Sequence, residues 1–246
     1  MAALDLIDWD APGPYRVAFS TRRGGVSEGP FASLNLGIRT DDEPARVVEN
    51  RTRLCAAVEV DRDGATMAWQ RHGATVRRAE PRGVVTPGTV YDHCDGLWSD
   101  VRGLGMLMLT ADCLPIVLVR DGGFRRPALA ILHAGWRGLL AGIAAVGVHA
   151  LGGGRVAAAI GPAIGPCCYE VGDEVAEPFR EAFGADVVQE RRLDLWTSAE
   201  RALRAAGCER VDRFDLCTSC NPDLFFSHRR DEGHTGRQGV IAAVAG

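Results

Sequence analysis

The stretch Ala128-Leu-Ala-Ile-Leu-His133-Ala-Gly135-Trp-Arg-Gly-Leu-Leu-Ala-Gly-Ile-Ala-Ala-Val146 decides the fold. Its first six residues form an unbroken apolar run closed by a histidine, the pattern of a strand buried on both faces. From Gly135 the same stretch reads as one helix to Val146. His133 therefore stands where a core strand ends, beside a glycine and ahead of a helix. Side chains at such positions converge on a cleft while the sheet holds them rigid.

Other segments extend this frame. Residues Leu104–Thr110, a continuous apolar run, read as another strand buried on both faces. Residues 15–21 alternate like a strand and run into the Arg22-Arg23-Gly24-Gly25 turn. Asp42 is placed as the cap of a helix with Pro44 in its first turn and Val47, Val48, Leu54, Cys55 and Val58 on one face. Strand-like pieces occur at 66–70 and 74–78. Val156–Ile160 reads as a strand leading into a Gly/Pro-rich turn, and Asp173–Phe183 as a helix. Asp194 caps a helix over 195–206 that Gly207 stops. A strand starts at 214–217, and 239–244 is a final one. Helices and strands mix without strict alternation, so the expected fold is an α/β (α+β) sandwich with a mixed β-sheet. No repeat or Pro/Ser-rich linker marks a boundary, so residues 1–246 are expected to form a single domain.

Composition narrows the function. With 28 basic and 32 acidic residues the chain carries −4 net charge, without the basic surplus that draws proteins onto nucleic acid or anionic membranes. The most apolar stretch, 104–119, is shorter than the ~20 residues of a spanning helix and contains Asp112. The first fifteen residues are acidic where a signal peptide is basic. Eight cysteines in a chain large enough to bury its own core suggest reduced thiols. The expected setting is the cytoplasm, with small-molecule substrates and no nucleic-acid or membrane partner.

His72 in Gln-Arg-His-Gly, Cys113 in Thr-Ala-Asp-Cys-Leu-Pro and His133 all stand at strand ends or turns. Two imidazoles and a thiolate suit zinc, leaving a fourth coordination position open. Yet Cys113 lies 41 positions after His72 and 20 before His133, and no local His-Glu-x-x-His motif links them. One buried thiol and two hydrogen-bonded imidazoles fit the spacing as well. Cys217-Thr-Ser-Cys220 has C-x-x-C spacing without a second such pair or a thioredoxin-like surround, so two packed thiols account for it. Cys167-Cys168 reads as structural, and His93, Cys94 and Asp95 as solvated loop residues.

The chain resembles the YfiH/YlmD family, long described as multicopper polyphenol oxidoreductases or laccase-like proteins and later as purine nucleoside phosphorylases. The resemblance rests on Phe19-Ser-Thr-Arg-Arg-Gly-Gly-Val-Ser, Ser33-Leu-Asn-Leu-Gly, Gln70-Arg-His-Gly, Asp95-Gly-Leu, Thr110-Ala-Asp-Cys-Leu-Pro, His133-Ala-Gly-Trp-Arg-Gly, Ile160-Gly-Pro-Ala-Ile-Gly-Pro-Cys-Cys-Tyr-Glu-Val, Asp215-Leu-Cys-Thr and Phe225-Phe-Ser-His-Arg-Arg. It spans nearly the whole chain. It implies that His72, Cys113 and His133 are zinc ligands and catalytic residues. It further implies phosphorolysis of adenosine, inosine, guanosine and methylthioadenosine, with adenosine deamination. The segment between His72 and Asp95 departs from the family pattern.

Zinc with an open position suits deamination, in which water attacks an aromatic carbon bearing an amine. Asp112 is the candidate proton carrier. Phosphorolysis needs donors for phosphate, and guanidinium groups pair two oxygens at once. Arg22 or Arg23, Arg137, and Arg229 or Arg230 are the candidates. Asn35 and His228 lie in matching stretches and either line the pocket or support the fold. Two other chemistries use the same residues: a copper-dependent polyphenol oxidase with copper at the three ligands, and a metal-free Cys/His hydrolase built on Cys113. Six histidines without one His-x-His pair do not supply a multicopper laccase set. A non-enzymatic interaction protein is the remaining possibility.

Overall fold

The computed structural model describes residues 4–86, 88–121 and 126–246. Two mixed sheets face each other. The first has the order β1 (Leu6–Asp8), β2 (Tyr15–Ser20), β13 (Gln238–Val244), β6 (Met106–Thr110) and β3 (Thr66–Met67). The second has the order β12 (Cys208–Arg213), β9 (Val156–Ile160), β7 (Leu114–Arg120), β8 (Leu129–Ala134), β5 (Gly96–Ser99) and β4 (Val76–Arg78). A short β10–β11 hairpin (Val188–Gln189 with Arg192–Leu193) lies apart.

The alternation of side chains along each strand sets the layers. Val117 and Val119 of β7, Leu129 and Ile131 of β8, Met106 and Met108 of β6, and Val240 and Ala242 of β13 fill the space between the sheets. Their neighbours point outward: Leu107 and Ile241 meet Leu54 and Cys55 of α1 (Pro44–Ala57) on one side. Ile116, Leu118, Ala130 and Leu132 meet four helices on the other: α2 (Trp136–Leu140), α3 (Ile143–Ala150), α4 (Asp173–Phe183) and α5 (Leu195–Ala205). Both faces of the central strands are thus covered, which explains their unbroken apolar sequences. The architecture is the expected α/β sandwich with mixed sheets.

Several boundaries differ from the sequence reading. The helix expected over 135–146 is two helices, because Gly142 adopts φ +82° and breaks the run between α2 and α3. The cap of α1 is Glu43, not Asp42. Asp42 instead accepts from Glu43 N, Ser27 Oγ and Asn35 Nδ2. No strand starts at 214–217; the strand is β12, whose Cys-Glu-Arg-Val-Asp-Arg sequence lies at a sheet edge and needs few apolar residues. Asp194 does cap α5, accepting from Thr197 N at 3.0 Å.

One polar cluster fixes the loop that reaches the functional cleft. Asn50 of α1 donates to Ser27 Oγ and to the Asn35 carbonyl. The Asn35 amide oxygen in turn accepts from Gly37 N (2.9 Å) and Arg237 N (2.8 Å). With all partners satisfied inside the protein, this network holds residues 37–40 against the start of β13.

Candidate metal centre

The three ligand candidates come from three places around the paired sheets. His72 lies on a turn after β3, Cys113 on the turn between β6 and β7, and His133 in β8. Backbone register sets Pro115 opposite His133, so the adjacent turn carries Cys113 beside the end of β8. One nitrogen from each imidazole and the Cys113 sulfur all lie within 4.8 Å of one another. Three points so spaced share a point no more than about 2.8 Å from each, close to the ~2.0–2.3 Å of zinc–nitrogen and zinc–sulfur bonds. The two rings meet edge to face, 4.8 Å between centroids.

The carboxylate of Asp95 builds this geometry. It is 1% exposed. One oxygen accepts from His72 N at 2.8 Å and stands 3.0 Å from His133 Nδ1. The other accepts from Gly73 N at 2.8 Å, and Arg71 N donates to both at 3.0 and 3.1 Å. Three consecutive backbone N–H groups thus wrap one carboxylate, and His72 takes φ +60° to let them do so. Engaging Nδ1 leaves the Nε2 of His133 to face the thiol, the usual outer-shell arrangement of metal-bound histidine. Asp95, read from sequence as a solvated loop residue, is a buried organiser. The Asp95-Gly-Leu stretch shared with the family is the one sequence signal that could have singled it out.

Electrostatics reinforce the grouping. Desolvation opposes charge on Cys113, but the His133 cation beside it and hydrogen bonds from both imidazoles bring the thiol down to about 6. Desolvation likewise opposes charge on His133, and the Cys113 thiolate with the Asp95 carboxylate lifts it to about 9. The pair is stable as thiolate and imidazolium, so the sulfur is ready to ligate when a metal displaces the proton. Gly135 completes the cradle: a β-carbon there would lie 2.9 Å from Cys113 Sγ and 3.5 Å from His72 Cδ2. Its φ of −79° is ordinary, so close approach to the ligands, and not backbone freedom, asks for glycine. Donor set, spacing and cradle all fit a metal ion.

These groups lie in the wall of a cavity of about 560 Å³, within the usual range for small-molecule sites. Arg137, Arg229, His228 and Asp112 line it. Arg137 is exposed on α2, its guanidinium 4.2 Å over the Trp136 ring, with no hydrogen bond to a described residue. Arg229 donates to the Glu170 carbonyl and lies over Tyr169. Both Asp112 oxygens are engaged: Thr218 Oγ1 donates to one at 2.6 Å and Arg229 N to the other at 2.7 Å. Arg22 and Asn35 are outside the lining. Arg22 donates to the carbonyls of Ala32 and Pro222 and covers the Phe226 ring, while Asn35 is bonded within its loop. Arg23 donates to the Asp223 carbonyl, and Arg230 to Asp231 and the Thr218 and Phe225 carbonyls.

Sequence reasoning missed further lining residues. Arg39 stacks on Trp69 at 3.8 Å, and Arg237 faces Asp112 and Cys113 while donating to the carbonyls of Thr235 and Gly236. Desolvation lowers Arg237 from its ordinary value, with those two groups opposing. Desolvation raises the Tyr169 hydroxyl to about 12, keeping it a proton donor. Thr110 Oγ1 is buried at the cavity wall without a partner among the described residues.

A mixed α/β sandwich with an open two-histidine, one-cysteine set in an arginine-rimmed cavity is the class that fold and site define. The chain belongs to the multi-copper polyphenol oxidoreductase laccase family, whose model matches residues 16–245. It is 39% identical over 242 residues to a Pseudomonas aeruginosa protein named purine nucleoside phosphorylase, covering 94% of this chain and 93% of the relative. It is 36% identical over 249 residues to purine nucleoside phosphorylase YfiH of Escherichia coli, covering 96% and 97%. The crystal structure of YlmD from Geobacillus stearothermophilus superposes with a TM-score of 0.91 at 33% identity, covering 100% of this chain and 98% of that one. No helix among the described residues is long and apolar enough to cross a membrane.

Proposed function

We propose that this chain is a zinc-dependent purine nucleoside phosphorylase, converting adenosine, inosine, guanosine or methylthioadenosine and phosphate to free base and ribose 1-phosphate, and that it also deaminates adenosine. The observation that carries the reading is the convergence of His72, Cys113 and His133 on one point in the wall of an arginine-rimmed cavity. The relatives' names support the phosphorylase activity. Zinc held by His72, Cys113 and His133 would supply a Lewis acid there.

The chain's own groups supply the rest. Arg137, with no acceptor among the described residues, is the phosphate clamp, and Arg229 adds its second face. Arg22 is occupied by two carbonyls and takes no part. The aromatic walls, Trp69 under Arg39 and Tyr169 under Arg229, offer flat surfaces for a purine. Asp112 holds Thr218 and the Arg229 backbone, which positions the arginine over the cavity and makes the carboxylate a positioning group more than a proton carrier. His228 also lines the cavity.

Copper at the same ligands would give a phenol oxidase. Purified protein loaded in turn with each metal separates the readings. Phosphate-dependent release of hypoxanthine from inosine by the zinc form, absent in Cys113→Ala, is expected. Base release that needs no phosphate, or persists in Cys113→Ala, contradicts the proposal. Oxidation of phenols by the copper form with no nucleoside turnover by the zinc form favours the oxidase.

A further inference from the structure

Outside the cavity, the fold joins two cysteine pairs that the sequence keeps about fifty positions apart. Cys167 and Cys168 follow β9 in the Gly/Pro turn, and Cys217 and Cys220 follow β12, the strand paired to β9. Continued parallel pairing of Ala163 with Cys217 brings the two turns together. All four sulfurs lie within 4.8 Å of one another. Cys220 Sγ stands 3.2 Å from Cys167 Sγ and 3.3 Å from Cys168 Sγ. Cys217 is buried, and its sulfur accepts from Gly165 N at 3.3 Å.

We propose that these four cysteines form a second, closed metal site that takes a structural zinc ion. Four thiolates around zinc at ~2.3 Å sit roughly 3.8 Å apart, the scale of the spacing found here. The Cys220 sulfur is nearly equidistant from two others, which suits a shared ion better than one particular disulfide. The backbone N–H aimed at Cys217 Sγ is the kind of outer contact that stabilises a metal-bound thiolate. With four protein ligands, no position remains for substrate, so the site's role is to clamp the turn carrying Ile164 and Tyr169 to the turn carrying Thr218. The first turn borders the cavity, and Thr218 of the second holds the cavity-lining Asp112. Binding releases the thiol protons and involves no electron transfer.

Metal content decides the matter, independently of nucleoside turnover. Protein expressed with zinc and purified anaerobically without chelator is expected to hold two zinc ions per chain, and Cys113→Ala and Cys167→Ser/Cys220→Ser one each. Cobalt in Cys113→Ala is expected to give strong thiolate-to-metal charge-transfer bands and tetrahedral d–d bands. Where Cys113→Ala does not fold, the fall from two zinc ions to one in the double serine variant carries the test. A native chain with one zinc that is unchanged in the double serine variant, cobalt without charge-transfer bands, or a chain mass short of two hydrogens that reductant restores would overturn the proposal.

Discussion

The substitution Asp95→Asn changes one atom and tests how the metal centre is held. The native carboxylate gathers the N–H groups of Arg71, His72 and Gly73 and the Nδ1 of His133 on two oxygens. In the variant one of those oxygens becomes an NH₂ group. If the amide oxygen stays with His72 and His133, the NH₂ faces Gly73 N–H, leaving a buried donor unpaired at about 1–3 kcal/mol. The neutral side chain also withdraws the negative partner of His133. Losing an outer-shell partner costs about 10–100-fold in metal affinity. The expected result is an unfolding free energy lower by about 1–3 kcal/mol in urea and zinc affinity weaker by at least about tenfold in chelator competition. An Asp95→Asn protein with unchanged affinity and unchanged midpoint would refute the assignment of Asp95 as organiser.

Gly135→Ala puts a methyl 2.9 Å from Cys113 Sγ, well inside the ~3.5–4.0 Å of ordinary contact, with backbone angles that tolerate alanine. Zinc affinity should fall about tenfold or more while circular dichroism stays native. Arg137→Ala removes an exposed guanidinium; losing charge-assisted bonds of about 1.5–3 kcal/mol raises the KM for phosphate roughly 10–100-fold, whereas Arg22→Ala leaves it within about twofold. After metal removal, Cys113 with its thiol lowered to about 6 alkylates faster as pH rises through 6 and levels off above it. A rate that climbs only towards pH 9 would show that the imidazoles do not stabilise the thiolate.

Apolar runs made the buried strands legible: β6, β8 and β9 were recognisable because both faces of each are covered. Edge strands were not. β12 carries Glu209, Arg210, Asp212 and Arg213, so its pairing with β9 leaves no apolar period to read. The break at Gly142 was hidden because α2 and α3 are both apolar around it. Among site residues, the ligand types and strand-end positions were readable, but their meeting point depends on strand register across β7 and β8. Asp95 was missed because a carboxylate in a loop usually faces water, and here three backbone N–H groups and an imidazole replace that water. Arg39 and Arg237 were missed for a related reason, since a tertiary network through Asn35 brings their segments together. The four-cysteine cluster was invisible as a unit, its two halves meeting only through β9–β12 pairing.

Anomalous diffraction at the zinc edge, on crystals grown with zinc and phosphate, bears most directly on the ligand set from which the proposed chemistry follows. A peak bonded to His72, Cys113 and His133, with a non-protein atom in its fourth position, is the expected result. A zinc-loaded crystal with no peak among these three side chains would contradict it.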